Sequence, residues 1–152
     1  MIRLFALPLF VAALSGCSHG SHTPASTCKI TSEAEIASLF ERWNQSLKSG
    51  DAQQVADQYA AYSILLPTLS NLPRLSRAQK IEYFEHFLRY QPQGTINQRQ
   101  IHLGCNSAVD AGLYTFTYAN GKQVRARYSY SYAWNGSRWL ITSHHSSVMP
   151  EG

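Results

Sequence analysis

Charge is scarce in this 152-residue chain: Asp, Glu, Lys and Arg together make up 14% of it. Thirteen basic residues against nine acidic ones leave a net charge of +4 with histidine neutral. No five like charges follow one another, so the basic stripe of a nucleic-acid-binding surface is missing and nucleic acid is not expected as a partner. No apolar stretch reaches the roughly 18 residues that a membrane-spanning helix needs. Glycine-rich phosphate loops, Ser or Cys nucleophile signatures and internal repeats are also absent. The carboxylates are few enough to name: Glu33, Glu35, Glu41, Asp51, Asp57, Glu82, Glu85, Asp110 and Glu151. The expected elements put them on helices, at a turn (Asp110) or at the terminus. The late strands then hold none, which argues against general-base catalysis from the sheet and leaves Asp57 as the carboxylate placed to reach inside. Aromatics are what the chain has instead, with 3 Trp, 9 Tyr and 6 Phe, enough for a compact core.

The chain opens with Arg3 and an apolar run, Leu4–Leu14, that ends in Leu14-Ser15-Gly16-Cys17. A basic residue followed by a short apolar run has the order of a secretory signal. The Leu-Ser-Gly-Cys ending resembles the bacterial lipobox, in which the cysteine takes a lipid and becomes the mature N-terminus. Residues 1–16 are thus expected to be a lipoprotein signal peptide, Cys17 the lipidation site and residues 17–29 a tether. Ser18 is similar to the outer-membrane sorting default, so the domain is expected on the periplasmic side, membrane-bound through its lipid alone. Of the three cysteines, Cys28 and Cys105 remain, and an oxidising compartment allows them one pairing.

Residues 30–151 read as one domain. Ser32-Glu33-Ala34-Glu35 is a capping-box start, and Ile36, Leu39, Phe40, Trp43 and Leu47 follow at helical spacing to Gly50. Asp51 caps a second, short helix. Tyr62–Leu66 is a strand stopped by Pro67, and the loop Pro67–Leu75 carries Asn71 and Arg74. Ser76-Arg77-Ala78-Gln79 opens another helix, closed by Pro92 and Gly94. Thr95–Leu103 is a strand and Gly104–Asp110 a turn. Last come two hairpins over Ala111–Val148, marked by Asn120-Gly121 and Asn135-Gly136. The order α-α-β-α-β-β-β-β, helices early and meander late, predicts an α+β domain: a cone-shaped fold with helices on the concave face of a curved antiparallel sheet.

If both Asn-Gly turns are two-residue loops, register follows. Tyr114 then faces Arg127, Phe116 faces Arg125, and Arg127 also faces His144. One face would carry Tyr114, Phe116, Arg125, Arg127, Ser129, Thr142 and His144; the other, Val124, Ala126, Tyr128, Tyr130, Tyr132, Trp134, Trp139 and Ile141.

The blocks Leu39-Phe40-Glu41-Arg42-Trp43-Asn44, Ser49-Gly50-Asp51 and Leu65-Leu66-Pro67-Thr68-Leu69-Ser70-Asn71, with Arg74 close behind, are similar to bacterial proteins of the calcium/calmodulin-dependent kinase II association-domain family. So are Ala126-Arg127-Tyr128 and the closing Trp139-Leu140-Ile141, His144-His145-Ser146-Ser147 and Met149-Pro150. That family falls in the SnoaL-like, nuclear transport factor 2-like superfamily of cone folds. The resemblance implies a homodimer or higher homo-oligomer formed through the outer sheet face. It also implies a pocket that in the kinase hub takes small carboxylates on basic residues. The hub's arginine in the last strand falls here at Ser146.

The candidate ligand-binding set is Arg127, His144, Tyr114, Phe116, Arg125, Asn71 and Arg74, for a small anionic or polar molecule. A guanidinium among aromatics calls for an anion or an internal partner, for which Glu41 and Asp57 are the alternatives. Arg125 reads equally as a solvated edge charge, His144 as a core histidine, and Asn71 and Arg74 as loop fasteners. His144 and His145 point to opposite faces and cannot share one metal ion without distortion, so no metal and no cofactor is expected. Three functions remain open: a small-ligand-binding, self-associating domain; an isomerase- or cyclase-type enzyme with His144 or Asp57 as base; and a structural protein-interaction module.

Overall fold

The computed structural model describes residues 27–150 except Leu69. The expected leader 1–16, the lipidation site Cys17 and most of the 17–29 tether lie outside the described residues. Three helices, α1 (Glu33–Lys48), α2 (Ala52–Ala56) and α3 (Arg77–Phe87), are followed or interleaved by five strands. The strands are β1 (Tyr59–Leu66), β2 (Gln93–Gly104), β3 (Ser107–Thr117), β4 (Gln123–Trp134) and β5 (Trp139–Val148). They form one sheet in the order β1-β5-β4-β3-β2. The pairs from β2 to β5 are antiparallel, and β1 joins β5 in parallel, which the expected antiparallel sheet did not foresee.

Local chemistry sets the helix starts. Ser32 accepts from Glu35 N at the head of α1, but the Glu35 carboxylate does not close the box. It accepts instead from Thr31 Oγ1 at 2.8 Å and from Trp139 Nε1 at 3.2 Å, tying α1 to β5. Asp51 caps α2, and Ser76 with Gln79 forms a complete reciprocal box on α3. α1 lies across the concave face and buries Ile36, Leu39, Phe40, Trp43 and Leu47, the residues its 3.6-residue period selects. Asn44 stitches it to the sheet, accepting from Gly94 N at 2.8 Å and donating to Gly94 O at 2.9 Å.

Three features correct the expected register. Thr117 pairs with Gln123, and Tyr118 N donates to Lys122 O, so the first hairpin turns through Ala119–Gly121 with Gly121 at φ +79°. That is a three-residue loop with glycine in the left-handed position, not a two-residue turn, and it slips the pairing by one. In the second hairpin Trp134 pairs with Trp139 across a four-residue loop, Asn135–Arg138, not a two-residue turn, a change of two that keeps the faces; further along, Tyr132 pairs with Ile141 and Ser131 with Ser143, leaving Thr142 as an extra residue. The one-residue slip and the bulge each exchange faces. Tyr114 and Phe116 join Ala126, Tyr128, Tyr130 and Tyr132 inside, and beyond the bulge His144 joins them. Arg125 and Arg127 are left on the outer face, exposed. Tyr114 faces Ala126, Leu113 faces Arg127, and Arg127's partner on β5 is Ser147, not His144.

The expected turn Gly104–Asp110 shrinks to Cys105-Asn106, with Asn106 at φ +57°, so β2 and β3 form a third hairpin. Asp110 is therefore a strand residue, fully buried on the inner face, and the meander does hold a carboxylate. Cys28 and Cys105 form the expected disulfide, with 2.04 Å between the sulfurs. It fastens the segment before α1 to the β2–β3 turn, where Lys29 N also donates to Asn106 Oδ1 at 2.7 Å.

Candidate functional site

Between the concave sheet face, α3 and the loop after β1 lies a cavity of about 410 Å³. Its walls are largely aromatic: Tyr83, Phe84 and Phe87 come from α3, and Tyr114, Phe116 and Tyr118 from β3 and its turn. α3 can present these rings because the capping box fixes its start and because the spacing of Tyr83, Phe84 and Phe87 puts them on one flank. The polar groups are few and converge. Ser146 Oγ accepts from Tyr114 Oη at 2.5 Å and shares a hydrogen with Thr68 Oγ1 at 2.7 Å. His144, two residues earlier on the same strand, points the same way. Among the described residues Lys122, at the rim, is the one Lys or Arg on the wall, and no carboxylate lines the cavity.

The His144 imidazole is buried, and burial, with His145 adding to it, holds its pKa down to about 3. It is thus neutral at any ordinary pH. Its tautomer follows from the chain behind it. Trp43 Nε1, which can only donate, gives its hydrogen to Tyr59 Oη at 3.2 Å. Tyr59 Oη lies 2.8 Å from His144 Nδ1. The arrangement that uses every hydrogen has Tyr59 donating to Nδ1, which places the imidazole hydrogen on Nε2. Nε2 is buried and has no partner among the described residues. A neutral Nε2–H is a donor awaiting an acceptor, not a base awaiting a proton. Burial also raises the Tyr114 hydroxyl well above the usual phenol range and pushes the Tyr83 hydroxyl up to about 12, so both stay protonated donors.

The expected site residues divide. His144, Tyr114 and Phe116 meet at the cavity. Arg127 and Arg125 lie on the opposite side of the sheet, so the expected convergence of Arg127 with His144 does not occur. Asn71 is exposed, and Arg74 fastens the loop. Arg74's backbone pairs with Leu65, its guanidinium donates to Leu72 O at 2.6 Å, and the group sits 5.8 Å from the Tyr83 ring. Neither contributes to the cavity wall. Asp57, expected to reach inside, is exposed and pairs with Arg77 at 2.7 Å. Thr68, Ser146, Tyr59 and Trp43 carry functional geometry that sequence reasoning missed. The spacing His144-x-Ser146 within a strand was the available signal, since residues two apart share a face. Among the described residues no group of three or more His, Cys, Asp or Glu is arranged to hold a metal ion.

The chain matches the model of the calcium/calmodulin dependent protein kinase II association domain over residues 32–150. A crystal structure described by that domain name, from Xanthomonas campestris, is 48% identical; the match covers 83% of this chain and 97% of that one, with a TM-score of 0.74. A cyanobacterial iota-carbonic anhydrase complexed with bicarbonate is 21% identical over 86% of this chain and 99% of that one, with a TM-score of 0.72. A protein from Novosphingobium aromaticivorans described as NTF2-like with a cystatin-like fold is 10% identical over 78% of this chain and 82% of its own, with a TM-score of 0.66. The last two share the fold. No curated protein matches the chain. With nearly the whole of the described region matched, the chain belongs to the calcium/calmodulin-dependent protein kinase II association-domain family, built on the NTF2-like cone.

Proposed function

We propose that the cavity binds a small molecule through a carboxylate-type head group, R–CO₂⁻, with bicarbonate as the member in which R is a hydroxyl. The observation that carries this reading is the convergence of the Ser146, Thr68 and Tyr114 hydroxyls, with His144 on the same wall, in an otherwise aromatic chamber. Neutral donors in a water-poor site hold an oxyanion without burying a counter-charge, and hydrogen bonds to a charged acceptor are the strong ones. Lys122 at the rim gives the mouth a favourable sign, and the aromatic walls leave room for an apolar body on the ligand.

A second reading, interconversion of carbon dioxide and bicarbonate, is favoured by the bicarbonate-bound carbonic anhydrase among the structural neighbours. In that reaction the hydroxyl hydrogen left free on Thr68 or Ser146 would hold one oxygen of bicarbonate. The Nε2–H would steady the charge that develops on them.

The domain would act at the cell envelope, held by a lipid on Cys17 and self-associating through the outer face of its sheet. The lipobox-like Leu14-Ser15-Gly16-Cys17 and the Cys28–Cys105 disulfide support the location, and the family's association-domain character supports the assembly.

The test is calorimetric titration and thermal shift with bicarbonate, acetate, benzoate and phenylacetate, alongside stopped-flow hydration of carbon dioxide. Ser146→Ala and Thr68→Val each remove one hydroxyl and should weaken binding by about 5- to 30-fold, the equivalent of one hydrogen bond to a charged group. Arg127→Ala, on the far side of the sheet, should leave binding unchanged. Equal affinities for Ser146→Ala and the parent would refute the site, and a catalytic rate untouched by Ser146→Ala would refute the second reading.

A further inference from the structure

Lys80 is the one buried Lys or Arg among the described residues, with 1% of its surface exposed. It lies near the N-terminus of α3, the end at which a helix dipole already disfavours a positive charge. Nζ donates to Ser63 O on β1 at 2.8 Å and to Leu75 O, just before α3, at 2.9 Å. No carboxylate balances the ammonium. Ion pairs among the described residues join Lys29 to Glu35, Arg77 to Asp57 and Arg99 to Asp110, and Lys80 takes part in none of them. Two carbonyls call for two hydrogens, which a neutral amide also carries, so these bonds do not explain why a charge is buried here. Burying an unpaired charge is among the most expensive things a core can do.

The charge sits behind the cavity wall. Nζ is 6.0 Å from the centre of the Tyr59 ring. That ring is 5.8 Å from the ring of Phe84, and its hydroxyl is 2.8 Å from His144 Nδ1. Phe84 and His144 both line the cavity, and Phe84 follows Lys80 by one turn on the same flank of α3. We infer that Lys80 makes the cavity select anions over neutral molecules of the same outline, acting through its field and touching no ligand. The inference rests on the cavity being the binding site proposed above. There the hydroxyls of Ser146, Thr68 and Tyr114 hold the head group, and Lys80 sets the sign of charge that the chamber accepts. Since no carboxylate lines the cavity, no wall group cancels that field. Attraction across roughly 10–12 Å, at an effective dielectric constant of about 20, corresponds to about tenfold in affinity.

The experiment compares benzoate with benzamide, which share an outline and differ in charge, by calorimetric titration of the full-length chain with its disulfide intact. Lys80→Gln keeps hydrogens for both carbonyls and removes the charge. Benzoate affinity should fall about 5- to 15-fold in this variant while benzamide affinity holds. An equal loss for both ligands would make Lys80 a fastener of the loop and overturn the inference, as would an unchanged ratio of the two affinities. If Lys80→Gln does not fold, the parent chain supplies the answer. A bound anion and the Lys80 proton must favour each other reciprocally. Followed by NMR, the Lys80 ammonium should therefore lose its proton at a higher pH with benzoate bound than with benzamide bound, and the same pH for both overturns the inference. Ser146→Ala tests the site separately. If it weakens benzoate while Lys80→Gln leaves the ratio untouched, the site stands and the inference falls; if the parent binds neither ligand, both fall.

Discussion

At the scale of the residue, His144 decides what the cavity can do. Its neutral imidazole is held from behind by Tyr59 and Trp43 and lines the cavity wall. The same burial has a thermodynamic consequence. Its pKa is about 3 in the folded chain and 6.5 in the unfolded one, so between those values the unfolded chain binds more protons. Stability therefore rises with pH across that window and is lost as pH falls from about 6.5 towards 3. His144→Gln removes this contribution, and denaturant melts at pH 7, 5.5 and 4.5 should show a flatter acid limb than the parent. Asp110 works in the opposite direction: burial raises its pKa, so its charge costs stability at neutral pH and that cost fades on acidification.

Which residues share a face was the least legible matter in the sequence. Asn120-Gly121 announces a turn, but the dipeptide fits both a two-residue loop and the last two positions of a three-residue one. Nothing local decides between them, and a one-residue slip moves every side chain to the other face. The Thr142 bulge has no composition signature at all. Arg127 was therefore placed beside His144 when it stands behind it, and the hydroxyls of Thr68 and Ser146 were overlooked. The identity of the polar ring residues, Tyr114 and His144, was readable because both lie in strongly patterned strands.

Element boundaries were easier where capping chemistry marks them. Ser32, Asp51 and Ser76 each begin a helix as expected, since a side-chain acceptor there satisfies backbone N–H groups that nothing else reaches. Strand starts carry no such mark, so β1 begins at Tyr59 and not Tyr62, and β2 takes in Gly94. Gly112 shows how tightly the outer hairpin is drawn. β2 carries an extra residue at Asn97, and beside that bulge a Cβ added to Gly112 would sit 2.0 Å from the Gln98 carbonyl oxygen. Backbone cannot step aside as a side-chain tip can. Gly112→Ala should destabilise by at least about 1–3 kcal/mol, the usual cost of overpacking, as measured by urea melts. Gly136→Ala, where a Cβ meets open space, should show only the strain of φ +98°.

For the molecule as a whole, the disulfide closes a loop with a sequence separation of 77 residues. A cross-link of that span restricts the unfolded chain, and its loss should cost about 2–5 kcal/mol. Cys28→Ala with Cys105→Ala, or simple reduction, should lower the melting temperature while leaving ligand affinity intact, because neither cysteine lines the cavity.

The position of that bridge also sets an orientation. Cys105 closes the β2–β3 turn, whereas Asn120 and Lys122, on the cavity rim, belong to the β3–β4 turn at the other extremity of β3. Eleven residues of strand separate the two ends, roughly 35 Å at strand pitch. A pull applied to the chain at residue 27 would therefore load the foot of the sheet, through a covalent staple, before it reached α1. The mouth of the cavity thus lies at the far end of β3 from that staple.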